Sequence, residues 1–116
     1  SDFPSLCLSP TRTERQTMKT VHKHIIPTDA SPVQLRLPQG WRLLKAEYVL
    51  VTKQVCCWVE VPTDPQRAQE HLELRLFRSG DGIPADYHYV DTAVDALAPE
   101  AWHLYSRPSR AARVAA

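Results

Sequence analysis

Two neighbouring thiols, Cys56 and Cys57, stand against Trp58 in the stretch QVCCWVEV, and two histidines, His22 and His24, stand two residues apart in MKTVHKHIIP. Each pair has a chemistry open to it. Thiolates ligate zinc or exchange disulfides, but both uses need partners at a suitable spacing, such as C-x-x-C, and a second cysteine pair is missing. Cys7 is the remaining cysteine. Adjacent cysteines in an extended strand point to opposite faces, so they do not bridge each other. Histidines at i and i+2 of a strand share a face, and a third imidazole from His71, His88 or His103 could complete a zinc site. Asp81 with Asp86, or Asp91 with Asp95, are candidates for paired acid–base carboxylates, although acidic residues in such loops commonly shape turns. A nucleophile elbow, an H-E-x-x-H helix and a phosphate-binding glycine loop are all missing. SGDGIP has two glycines, but no helix follows to present its N-terminus to a phosphate.

The elements that must position these residues read as short strands. KTVHKHII is rich in β-branched residues and stops at Pro27. VQLRL alternates, with Val33, Leu35 and Leu37 on one face, and PQG supplies a turn. In WRLLKAEYVLV, Leu44, Ala46, Tyr48 and Leu50 fall on one face, opposite Lys45 and Glu47. TKQ is a short connection to VCCWVEV, which ends at Pro62. HLELRLFR places Leu72, Leu74 and Leu76 inward and Glu73 and Arg75 outward. After the turn-rich SGDGIPAD come YHYVDTAV and AWHLYS, separated by DALAPE, which has room for one helical turn. The pattern predicts an all-β single domain: an antiparallel sandwich or small barrel of six to seven short strands.

In that frame Val55, Cys57, Val59 and Val61 form the core face of their strand, and Cys56, Trp58 and Glu60 the outer face. Cys57 is therefore expected to be a buried small hydrophobe rather than a reactive thiol. Trp41, Trp58 and Trp102 are expected to cap the ends of the core or to join a contact surface.

At 116 residues, with 43% hydrophobic and 23% charged residues, the chain fits one packed domain. A net charge of +1 gives no general pull toward nucleic acid or membrane surfaces. Single-stranded nucleic-acid binding on stacked aromatics is disfavoured for the same reason, because such sites add a basic groove. No run approaches the ~18 apolar residues of a membrane span. Unpaired thiols and the missing signal-peptide core point to a cytoplasmic protein. Residues 1–17 have no apolar period, and the first patterned segment starts on Met18, the single methionine. The expectation is a disordered extension over 1–17 upstream of a native start at Met18, a β domain over 18–106 and a disordered tail over 107–116 with Arg107, Arg110 and Arg113.

MKTVHKHIIP, LRLPQGWRLLKAEY, QVCCWVEV, LFRSGDGIP and AWHLYS, in that order, resemble the motifs of a family of small phage and prophage proteins of unknown function. That family shows M-K-x-x-H-K-x-x-I-P, then L-P-x-G-x-x-[IVL]-L, Q-x-x-x-[LCV]-W and G-x-G-x-x-[IL]-P, and closes on aromatic–His–[LV]–aromatic. The likeness runs from Met18 to Tyr105, and Ser79-Gly80 stands where a T-G pair is usual. The resemblance implies a bacterial or phage setting inside the host cell, and no activity.

The expected function is a small phage or prophage accessory protein, a protein–protein interaction module without catalysis and without a cofactor. Trp41, Trp58, Tyr87, Tyr89 and Trp102 are its candidate contact residues, and unpaired strand edges its second asset. The partner is expected to be a host or phage protein or a second copy. The alternative is a metal-binding enzyme built on His22 and His24, or a small-molecule-binding protein.

Overall fold

The computed structural model describes residues 18–109. Seven strands run in order: β1 (Lys19–Ile26), β2 (Val33–Pro38), β3 (Arg42–Val49), β4 (Gln54–Pro62), β5 (Gln69–Arg78), β6 (His88–Asp95) and β7 (Glu100–Pro108). They form two antiparallel sheets, β1-β4-β3 and β2-β5-β7-β6. The architecture is an all-β sandwich, and the sheets do not close into a barrel. DALAPE is a turn between β6 and β7 rather than a helix.

Turn chemistry explains the breaks. Pro38-Gln39-Gly40-Trp41 closes with the Trp41 N–H donating to the Pro38 carbonyl at 3.2 Å, and Gly40 takes the positive φ of 95° that this turn demands. Arg78-Ser79-Gly80-Asp81 repeats the design with Gly80 at φ 94°, and the Asp81 N–H donates to the Arg78 carbonyl at 3.0 Å. The Pro38 turn carries the chain from the larger sheet to the smaller one, so β2 and β3 are neighbours in sequence without pairing.

The core lies between the sheets. Val55, Cys57, Val59 and Val61 of β4 face Leu72, Leu74 and Leu76 of β5 and Leu104 of β7, all buried. The expected inner face of β4 is correct, and Cys57 is fully enclosed. Alternation fails in β3. The register with β4 slips between Leu43 and Lys45, so Leu43 and Ala46 both face the core while Leu44 bulges out and is exposed. Leu50 lies beyond the strand and is exposed too. The expected Leu44–Leu50 face is thus corrected to Leu43, Ala46 and Tyr48.

A second correction concerns the larger sheet. Glu73 was expected in solvent, yet it is only 5% exposed, and Phe77 on the same face is buried as well. The loop after β5 returns over this outer face and seats Tyr87 on it, with the Phe77 and Tyr87 rings edge to face at 5.2 Å. Arg107, expected in a frayed tail, is instead part of β7 and pairs with Glu73. The expected domain end at residue 106 therefore moves outward, and Ser109 is still buried. The expected disordered segments 1–17 and 110–116 lie outside the described residues.

The two sheets meet along β3 and β6. There the Ala46 N–H, pointing away from β4, donates to Asp91 Oδ2 at 2.8 Å. A side chain of one sheet thereby caps the backbone edge of the other. At the opposite edge of the small sheet β1 has no such cap among the described residues: Lys19 to Lys23 are all exposed.

Candidate functional site

The five aromatic candidates separate into two groups. Trp102 and Tyr87 are buried and build the fold. Trp102 faces the core and stacks on Tyr48 with centroids 5.1 Å apart and planes 5° from parallel. Tyr87 donates its hydroxyl to Glu73, and the Arg107 guanidinium lies 4.1 Å above its ring. Trp102 thus takes the core-packing role that was one of its two expected ones, and Tyr87 sits on a returning loop that alternation could not show. Trp41, Trp58 and Tyr89 remain at the surface, on three different parts of it.

Tyr89 is 58% exposed on the outer face of the larger sheet and packs edge to face on Tyr105 at 5.6 Å. Its hydroxyl ends a chain of contacts that the sequence did not announce. Ser79 Oγ lies 3.0 Å from His103 Nε2, His103 Nδ1 lies 3.0 Å from Thr92 Oγ1, and Thr92 Oγ1 lies 2.8 Å from the Tyr89 hydroxyl. The Ser79 and Thr92 hydroxyls hold the two ring nitrogens of His103 and so orient the imidazole, and Tyr89 extends the chain through Thr92. Only the β7–β6 register, Thr92 opposite His103, could have revealed the cluster.

Trp41 closes one end of the sandwich. Its indole N–H donates to Glu70 Oε1 at 2.8 Å. A cleft of about 440 Å³ opens there, lined by Trp41, Glu70, Leu72, His88, Ser106 and Pro108 among others.

The acidic candidates have structural partners. Asp81 accepts from the Arg78 N–H at 2.8 Å, Asp86 holds Arg107 through both oxygens, and Asp95 accepts from the N–H groups of Leu97 and Ala98. Asp91 caps Ala46 as described and also takes the Thr92 N–H. They shape turns and join elements.

His22 and His24 share the inner face of β1, opposite Val59 and Cys57 of β4, with ring centroids 6.5 Å apart. His24 is half-buried and its Nε2 has no hydrogen-bond partner among the described residues. Burial, and then the neighbouring His22, hold its pKa below the ordinary 6.5. Among the described residues no group of three or more His, Cys, Asp or Glu side chains is placed to hold a metal ion.

The thiols point to opposite faces of β4 and both are buried. Burial, and then Cys56, push the Cys57 thiol up to about 12, which suppresses thiolate chemistry near neutral pH.

The remaining feature is the free edge of β1 with the outer face beside it. Paired residues of adjacent strands point the same way, so Lys19, Val21, Lys23 and Ile25 share the outer face with Trp58, Glu60 and Cys56 of β4 and with Arg42, Lys45 and Glu47 of β3. Lys23 and Lys45 flank Trp58 from the two sides. Glu60 takes long contacts from Lys19 at 3.5 Å and Arg42 at 3.9 Å. Four cations against two carboxylates make this face positive. Val21 at 48% and Ile25 at 53% exposure add apolar surface at its rim.

The family described as a domain of unknown function, DUF7352, matches residues 18–114, and this chain belongs to it. Neither the curated proteins nor the solved structures contain a match. Among the described residues no helix is long and apolar enough to cross a membrane.

Proposed function

We propose that this domain is a protein-binding module without catalysis of its own, an accessory protein of a phage or prophage that works in the host cytoplasm on a host or phage protein. One observation carries the binding reading: β1 is an eight-residue edge strand that is exposed over most of its length and, among the described residues, has no strand paired on its outer side. Such an edge offers main-chain hydrogen bonds to an incoming strand. At the other edge of the same sheet Asp91 takes the Ala46 N–H, so β3 is partly covered there. The phage setting rests on the order of the motifs from MKTVHKHIIP to AWHLYS.

A photo-crosslinking residue at Val21 or Ile25, in cells expressing the protein with its native neighbours, tests the reading. The expected result is an adduct of one defined mass that is not formed from Gln66, in the loop before β5. The adduct should be lost on Val21→Pro, which removes an outward N–H and sets a ring against the incoming strand. Equal yields from Val21, Ile25 and Gln66 would overturn it.

The cleft beside Trp41 supports a second reading, small-molecule binding. Its volume falls in the ordinary range for ligand sites, and apolar walls surround the polar groups of Glu70, His88 and Ser106. Fluorescence of a Trp58→Phe, Trp102→Phe variant, screened against cell extract fractionated by size, should report a low-mass ligand through Trp41; a flat response eliminates this reading.

A further inference from the structure

The phase of the β1 ladder decides which backbone groups are free. The Thr63 N–H donates to the Met18 carbonyl at 3.0 Å, and β1 pairs with β4 from Lys19 to Ile26 without a register shift. In an antiparallel ladder alternate residues bond inward, so residues 20, 22, 24 and 26 bond to β4. Lys19, Val21, Lys23 and Ile25 turn their N–H and C=O groups outward. These four also put their side chains on the outer face, where cation and apolar side chain alternate.

We propose, resting on the edge-binding reading above, that the partner of β1 is an acidic extended segment that adds as a new antiparallel strand. Its outer-facing residues would repeat as apolar, acidic, apolar, acidic at every second position, to meet Ile25, Lys23, Val21 and Lys19 in turn. Each ionisable side chain of β1 is basic: Lys19, His22, Lys23 and His24. Lys23 has no carboxylate within ion-pair distance among the described residues, and Lys19 has only the exposed contact to Glu60. Behind them Arg42 and Lys45 keep the potential positive across Trp58.

The same charges exclude two other occupants. A second β1 would set lysines and histidines against lysines and histidines, the arrangement by which natural edge strands resist self-pairing. The segment TRTERQT that precedes Met18 has two arginines to one glutamate, again the wrong sign. An edge lysine that repels its own kind admits an acidic strand.

The test uses the full chain and three capped peptides: VTETVTE, and its counterparts with Gln or Lys replacing Glu. Nitrogen-15 NMR follows the amides of Lys19, Val21, Lys23 and Ile25. The acidic peptide should move these amides and bind about tenfold tighter than the Gln peptide, losing that advantage as salt rises. The Lys peptide should not bind, and Lys23→Glu, on an exposed site, should reverse the order. Equal binding of the Glu and Gln peptides at β1 would overturn the acidic preference while leaving the edge reading intact. No movement of those amides with any peptide would overturn the inference, and crosslinking from Ile25 would then judge the edge reading separately. A dimer in light scattering that dissolves on Val21→Pro would overturn it by placing a second copy on the edge.

Discussion

The guanidinium of Arg107 lies 3.0 Å from the carboxylate of Glu73, and both are almost sealed from water on the outer face of the larger sheet. Gln34 donates to the other Glu73 oxygen at 3.0 Å, Tyr87 adds its hydroxyl, and Asp86 takes the far side of Arg107. A strand from each half of the sequence is thus tied through one carboxylate. Truncating Glu73→Ala strips Arg107, Gln34 and Tyr87 of a shared acceptor and should cost about 3 kcal/mol in urea unfolding.

Acid should act through the same group. Burial works to raise the Glu73 pKa, but the hydrogen bonds from Tyr87 and Gln34 and the charge of Arg107 outweigh it and hold the value below the ordinary 4.5. A carboxyl depressed in the folded state stabilises above its unfolded pKa, and that contribution is lost as pH falls through the folded value. The melting temperature should drop below about pH 4.5, and the drop should shrink in Glu73→Gln.

His24 governs a separate window. Its folded pKa lies below 6.5, so the folded chain binds fewer protons than the unfolded one, and stability is lost as pH falls from 6.5 toward the lower folded value. Calorimetry between about pH 8 and pH 5.5 should show this slope, and His24→Asn should flatten it without touching the Glu73 transition.

Cys56 and Cys57 should label only when the domain opens. Alkylation of the peptide spanning 54–62 should follow the rate of global unfolding rather than that of an exposed thiol, read by mass spectrometry. Cys57→Ser should cost about 2 kcal/mol, because it puts a hydroxyl among Val59, Leu74 and their neighbours.

The sheet–sheet clasp should be measurable as well. Asp91→Ala leaves the Ala46 N–H without its acceptor and should destabilise by about 2 kcal/mol, with the loss of protection in hydrogen exchange centred on Ala46.

Much of the fold was legible because side-chain alternation and breakers obey local rules. The strand containing Cys57, the inward leucines of β5 and the breaks at Pro27 and Pro62 follow from period two and proline chemistry alone. Leu44 was misplaced because a one-residue bulge puts Leu43 before it in phase with Ala46 and Tyr48 after it, without a mark in composition. Glu73 and Tyr87 were misplaced because alternation describes one strand and its faces, while their burial comes from a loop that returns across the sheet. The Ser79–His103–Thr92–Tyr89 chain needs the β6–β7 register, which has its own slip between Tyr89 and Asp91. The exposure of β1 depends on strand order, and no local signal specifies which strand is last in its sheet.

The layer formed by Phe77, Tyr87, Glu73 and Arg107 gives β5 and β7 protein on both sides, whereas β1 pairs with one neighbour and, apart from Ile26 in the core and the half-buried His24, is exposed. Rigidity is therefore distributed unevenly: the two-sided strands form a stiff keel, and β1 is a pliant gunwale that can breathe without disturbing it. A protease or a passing chain would find its first purchase at that rim while the rest of the hull stays shut.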